Sequence, residues 1–331
     1  MTVVYHDADG DLNVLREMDV AVIGYGNMGR PIALNLRDSG VSVIVSEPSA
    51  EKHAIVAADG FTVTPIPDAV RKAQIIMILV RDEHMPSLYL QQISPHLQRG
   101  QTLLFSSAYN VAFGFIEAPP FVDVSLVSAK TMGAAVRERF LSGEGFASFV
   151  AVAQDASRNA WPVVLAVAKA MGALRGGAVE IRFEQEAELD LFVQQTLLPL
   201  FHQAMTIAAR LLNERGYPSE AVFTELYLSG EVSDYLHWAS TLGLMGTLEL
   251  QGLTAQYGML TRMDRFNDLK LERLMEQTLT DVRDGRFAQE WSREYSGDYP
   301  RLRQLLKQRK AMDLWALERE TIEELKPPPE G

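Results

Sequence analysis

Gly24, Gly26 and Gly29 fall at the spacing G-x-G-x-x-G within "VAVIGYGNMGRPIALNL". Glycines so spaced serve phosphate recognition. The first permits a tight turn, the second lets backbone approach a pyrophosphate, and the third lets a helix pack against a strand. Tyr25, Asn27 and Met28 lie between them, where backbone N–H groups at a helix N-terminus favour an anion. The pattern predicts a dinucleotide site rather than an empty strand–helix turn. Ser46 and Glu47 close the next apolar run, about 20 residues on, where an acid accepts from the ribose hydroxyls of NAD and repels a 2′-phosphate. Ser49 and Lys52 follow and would hold that phosphate instead. NADH is therefore the expected cofactor and NADPH the alternative. Val80, which ends the run "IIMILV", and Asp82 just past it complete the expected cofactor shell.

Such a loop needs a sheet behind it. Apolar runs at 20–24, 41–45, 75–80, 103–106, 122–128 and 148–153 alternate with amphipathic segments. Short β-rich runs spaced by helices predict a doubly wound parallel sheet with helices on both faces, of Rossmann type. "DASRNAWPVVLAVAKAMGA" reads as a helix starting at an Asp or Ser cap and ending near Gly172. From "FEQEAELDLFVQQTLLPLF" onward the period is helical and strands disappear. The expected division is residues 1–181 as a dinucleotide-binding domain, 182–325 as an all-α substrate and dimerisation domain, and 326–331 as a disordered Pro-rich tail. Pro199 should kink or break its helix.

Composition narrows the function classes. The 331 residues are 47% hydrophobic and 22% charged, with a net charge of -12 and no cysteine. An acidic chain repels nucleic acid and anionic membranes, so neither is an expected partner. Thiolate chemistry and Cys-ligated metals are excluded. The start lacks the pattern of a secretory signal. No apolar run reaches the roughly 18 residues of a membrane span. A soluble, cytoplasmic protein acting on a small molecule is expected.

The stretches "VYHDADGDLNVLREMDVAVIGYG", "ALNLRDSGVSVIV", "FVAVAQDASRNA", "LDLFVQQ" and "DGRFAQEW" occur in that order. Through them the chain, from residue 1 to about 315, resembles a ketol-acid reductoisomerase of the short type. That family rearranges and reduces acetohydroxyacids with a nicotinamide cofactor and two magnesium ions. The resemblance implies a homodimer, or a higher oligomer, in which helices of two chains build each pocket. The long apolar helices after residue 190 point the same way.

Matched residue by residue, the resemblance implies a site that has lost much of its chemistry. Ser107 takes the place of a histidine beside the nicotinamide, and counts among both the cofactor-binding and the catalytic candidates. Lys130 retains the family's lysine. Asp190 retains the first metal ligand, but Gln194, Thr224 and Leu228 stand where glutamate ligands belong, and Gly252 falls on a substrate-binding serine. Tyr227 replaces a histidine. An amide is a weak ligand and leucine is none, so two divalent ions would be under-neutralised. At helical spacing Glu225, Glu231 and Asp234 point away from 224 and 228. No metal site, and no magnesium requirement, is expected. Lys130 either donates a proton as hydride arrives, since a lysine shielded from water can be tuned towards neutral pH, or is a surface or structural lysine. Tyr109 and Asn110, after a strand end, would orient the reacting group. Asp190 binds a cationic substrate group or is a surface acid. His202 and His237 read as core or surface residues.

The leading expectation is an NAD(P)H-dependent reductase of a C=O, C=N or activated C=C bond, working without metal, in a specialised biosynthetic role. The alternatives are a non-catalytic dinucleotide-binding protein and a reductoisomerase with displaced ligands.

Overall fold

A computed structural model describes residues 2–263, 265–266 and 270–325. The tail expected at 326–331 lies outside the described residues. The chain divides into two compact units, one through Leu189 and one from Asp190.

The first unit holds eight strands: β1 Val4–Tyr5, β2 Asp19–Ile23, β3 Ser42–Ser46, β4 Ile75–Ile78, β5 Thr102–Phe105, β6 Asp123–Ala129, β7 Ser148–Gln154 and β8 Ala178–Glu180. Its helices are α1 Gly29–Asp38, α2 His53–Ala58, α3 Ile66–Lys72, α4 Met85–Leu88, α5 Tyr109–Ala112, α6 Gly133–Ser142 and α7 Ala160–Met171, followed by α8 Phe183–Gln195. The strands form one sheet in the order β1-β8-β7-β6-β5-β4-β2-β3. One face buries Val20, Val22, Met77 and Leu104 against Ile32 and Leu36 of α1 and Val164 and Val167 of α7. The other buries Ile76, Ile78, Leu103 and Phe105 against Val70 of α3 and against Phe183 and Ala187 of α8. A doubly wound α/β layer results.

Three details depart from the sequence reading. The two-residue β1 and three-residue β8 are too short to leave a periodic signal, yet they close the sheet edge as an antiparallel pair. β7 runs antiparallel to β6, Ala129 facing Ser148, because the α6 connection returns to the same end of the sheet instead of crossing it. α7 starts at Ala160 without a capping side chain at Asn159; Asp155 accepts from the Ala160 N–H at 3.1 Å from the preceding loop. Gly172 ends this helix in the left-handed region, at φ 91°.

The second unit, by itself, is helical: α9 Leu197–Glu214, α10 Ser219–Phe223, α11 Glu231–Glu249, α12 Leu253–Met263, α13 Leu271–Arg283, α14 Arg286–Ser296, α15 Pro300–Lys310 and α16 Leu314–Glu324. The helix containing "LLPLF" does break: α8 stops at Gln195 and α9 restarts at Leu197, placing Pro199 in a first turn, where its missing N–H costs nothing. The division falls within α8, whose Phe183, Glu186 and Ala187 are buried in the first unit. No helix of the described residues is long and apolar enough to cross a membrane.

Candidate functional site

The glycine loop is built by close approach. A Cβ on Gly29 would lie 1.9 Å from the Gly24 carbonyl oxygen, and one on Gly24 would lie 2.8 Å from the Leu79 carbonyl oxygen. Gly24 adopts φ 101°, which an L side chain resists. Gly26 is different: only Lys52 Nζ comes within reach of its Cβ position, at 3.7 Å, so this backbone is open to a ligand. The half-buried Met28 precedes the first turn of α1, whose N-terminus faces the same opening. Asn27 is exposed on the loop, and its carbonyl oxygen packs where a Cβ on Gly133 would stand, at 1.9 Å. Gly133 therefore seats α6 on the loop. Its only sequence signal was a glycine opening a helix, and it was not singled out. The cradle fits a dinucleotide pyrophosphate.

Tyr25 is fixed from two sides. Its backbone N–H donates to Glu47 Oε2 at 2.6 Å, and its hydroxyl donates to Asp59 at 2.9 Å. Arg30 grips the same Asp59 carboxylate through two bonds of 2.7 and 2.9 Å. Hydrogen bonding from Arg30 holds Asp59 below the usual carboxylate range. Burial, reinforced by Asp59, pushes the Tyr25 phenol above its ordinary value.

Glu47, the expected ribose acid, is already engaged by the protein. Its side chain is 4% exposed. Its second oxygen accepts from the Ser49 N–H at 2.8 Å, and Lys52 stands 3.6 Å away. Glu47 thus clamps the glycine loop to the tip of β3, and Lys52 partly neutralises it. Ser46 is corrected as a ligand contact: it is fully buried, and its hydroxyl donates to the Thr64 carbonyl at 2.7 Å. Val80 and Asp82 follow β4 half-buried.

At the ends of β5 and β6 a buried carboxylate gathers distant groups. Glu186 of α8, 2% exposed, accepts from Lys130 Nζ at 2.7 Å, from the Ser128 hydroxyl at 2.7 Å and from the Ala108 N–H at 2.9 Å. Lys130 also lies 4.8 Å from the centre of the Phe149 ring. Its side chain is 25% exposed, so it is ion-paired and reachable. Glu186 was missed; an acid among the four of "EQEAELD" carries no individual signal. Ser107, half-buried beside this cluster, receives the Tyr109 N–H at 3.3 Å.

Tyr109 and Asn110 are corrected as groups that orient a substrate. Both lie at the start of α5 and are buried, Asn110 to 1% exposure. The Asn110 amide donates to the Asp82 carbonyl at 3.1 Å and packs on Met85. The Tyr109 hydroxyl is buried without a hydrogen-bond partner. Burial, then the charge of Asp82, pushes this phenol up to about 12. It cannot serve as a base near neutral pH.

In the second unit, Asp190 and Gln194 are joined: the Gln194 amide donates to the Asp190 carboxylate at 2.7 Å. The replacement side chain thus occupies the retained acid. Thr224–Leu228 forms a π-turn, with the Ser229 N–H donating to the Thr224 carbonyl at 3.1 Å. Glu225 and Glu231 come to one cavity of about 620 Å³, with Leu197, Leu198 and Phe201 of α9, while Asp234 does not line it. Leu228 brings no donor atom. Among the described residues no three His, Cys, Asp or Glu side chains are grouped to hold a metal ion. Tyr227 donates to Glu318, and its phenol is pushed up by burial and that neighbour. His202 packs on Trp315 with ring centres 5.8 Å apart, and His237 packs on Trp238 at 5.9 Å. Gly252 has open space around its Cβ position.

Known proteins share this architecture. The family model described as acetohydroxy acid isomeroreductase, NADPH-binding domain, matches residues 14–177. That of the ketol-acid reductoisomerase C-terminal domain matches residues 183–326. The chain is 37% identical over 312 residues to a ketol-acid reductoisomerase (NADP(+)) of Pyrobaculum calidifontis, covering 94% of each. It is 36% identical over 308 residues to one of Methanocaldococcus jannaschii, covering 92% of each. The solved structure of an NADH-preferring ketol-acid reductoisomerase from an uncultured archaeon superposes with a TM-score of 0.91 at 32% identity, covering 98% of this chain and all of that one.

Proposed function

This chain belongs to the ketol-acid reductoisomerase family, and from that premise we propose that it is a reductase that has given up the family's metal-dependent rearrangement. An NAD(P)H-dependent oxidoreductase is what its relatives share. The narrower reading rests on one observation: Gln194 stands at a ligand position and donates its amide to Asp190, the acid that remains. With Thr224 and Leu228 at the other positions, the carboxylates that would offset two divalent charges are gone. The substrate class is a C=O, C=N or activated C=C bond that accepts hydride without a Lewis acid, as in a specialised biosynthetic step.

A bound dinucleotide supplies the hydride. Gly24, Gly26, Gly29 and the first turn of α1 hold its pyrophosphate, and Glu47 at the β3 tip favours NADH, the preference also carried by the archaeal relative. Lys130 presents an N–H to the atom that gains charge, and Glu186 fixes its position from behind. Ser107 adds a hydroxyl on the same side chain cluster. The large apolar side chains left exposed in the second unit, Leu244, Met245, Leu250, Leu253 and Tyr257 among them, support a homodimer with a shared pocket. Light scattering at micromolar concentration checks that state.

The deciding experiment is a screen of ketones, imines and enones by nicotinamide absorbance, with and without magnesium. Oxidation of cofactor by one class without magnesium carries the proposal. Turnover of an acetohydroxyacid that requires magnesium would restore the reductoisomerase reading. Cofactor binding with no substrate in any class would favour the non-catalytic alternative.

A further inference from the structure

A second cavity, of about 230 Å³, lies within the helical unit between α9, the π-turn and α16. Its walls are aromatic: Phe201 and His202 of α9, Phe223 and Tyr227 on the π-turn side, and Trp315 of α16. Glu318 is the acid of its lining, and no lysine or arginine lines it among the described residues.

These walls are held rather than mobile. Trp315 donates its indole N–H to the Arg309 carbonyl at 2.7 Å. Phe223 is fully buried and meets Tyr227 edge-on, with ring centres 6.1 Å apart. Tyr227 donates its hydroxyl to Glu318 and thereby fixes the carboxylate against the cavity. One Glu318 oxygen accepts from Tyr227, and Glu318 is among the residues that line the cavity.

Aromatic faces carry negative quadrupole density, and a desolvated cation gains from facing them. A neutral apolar guest would leave the Glu318 carboxylate uncompensated, and an anion would be repelled by it. We propose that this cavity is a binding site for a small organic ammonium ion, seated between Tyr227 and Trp315 and neutralised by Glu318. The volume suits an ammonium bearing three or four small alkyl groups, taken free in solution rather than as a lipid headgroup, whose phosphate Glu318 would repel. The site is independent of the dinucleotide cradle.

Calorimetry on the full chain tests it, with tetramethylammonium, choline, phosphocholine and the neutral carbon isostere of choline at matched ionic strength. Choline should bind at least ~10-fold more tightly than its neutral isostere, as a desolvated cation–π contact implies, and more tightly than phosphocholine. Glu318→Gln, which keeps the shape and the Tyr227 contact, should weaken choline at least ~5-fold, and Trp315→Phe should weaken it as well. Unchanged dinucleotide affinity in both variants verifies the fold. Equal affinity for choline and its isostere, tighter binding of phosphocholine, no binding of either ammonium, or a Glu318→Gln variant of full affinity would each overturn the assignment.

Discussion

Lys130 Nζ stands 2.7 Å from Glu186 Oε1, although 56 residues separate the two in the chain. The carboxylate is buried to 2% exposure and also bonds Ser128 and the Ala108 N–H, so it ties the ends of β5 and β6 to α8. Lys130 is thereby aimed by tertiary structure. If it supplies the proton or hydrogen bond at the reacting atom, Lys130→Met should lower turnover by at least about 10²-fold. Dinucleotide affinity should barely move, because the lysine is not part of the glycine cradle. Stopped-flow rates with fluorescence titration of cofactor separate the two quantities. A variant at full rate removes Lys130 from the chemistry.

Turnover should be indifferent to magnesium and to chelators. Gln194 is bonded to Asp190, and Leu228 has no ligand atom. Partial dehydration of magnesium needs anionic ligands to offset it. Initial rates in excess chelator should match those in millimolar magnesium. A rate that collapses with chelator and returns with magnesium refutes the metal-free reading.

Cofactor preference should follow Glu47 and Lys52 in opposite directions. Glu47 holds the Tyr25 and Ser49 N–H groups, so Glu47→Ser should flatten the NADH preference and also loosen the loop. Lys52→Ala removes a cation 3.6 Å from Glu47 and should sharpen the preference for NADH. Calorimetry with both cofactors decides. Tighter NADPH binding by the unmodified chain would make Ser49 and Lys52 the readers.

Tyr109→Phe should leave turnover within about 2-fold and the melting temperature equal or higher. The native hydroxyl is buried without a partner, an arrangement that costs about 1–3 kcal/mol. Burial pushes the phenol up to about 12, so it stays protonated near neutrality and offers no base. A collapse of turnover in Tyr109→Phe would return this residue to the chemistry.

Asp59 should make the glycine loop acid-sensitive. The Arg30 hydrogen bonds hold its carboxyl below the usual range, so the folded chain takes up that proton at lower pH than the unfolded chain. Its stabilisation is complete above about pH 4, the ordinary aspartate value, and is lost as pH falls through the folded value. In thermal melts the gap between the native chain and Asp59→Asn should be full near neutrality and narrow below about pH 4. A gap independent of pH would sever the link to ionisation.

The sequence by itself determined what depends on residue identity and short spacing. Gly24, Gly26 and Gly29 specify a backbone path that admits no Cβ at two of its three points, and the order of apolar runs specifies a wound sheet. The absence of a carboxylate at 194, 224 and 228 is equally legible, because side-chain charge is read directly from residue identity. Tertiary structure decided everything that depends on burial and on long-range pairing. It reversed β7, because strand direction follows the end to which a connection returns. It buried Tyr109 and Asn110, which local sequence placed on an accessible loop. It wound Thr224–Leu228 into a π-turn, which the helical period of the sequence does not signal. Above all it chose Glu186 among several neighbouring acids, since only the helix face pressed against the sheet could desolvate that carboxylate and bring Lys130 to it.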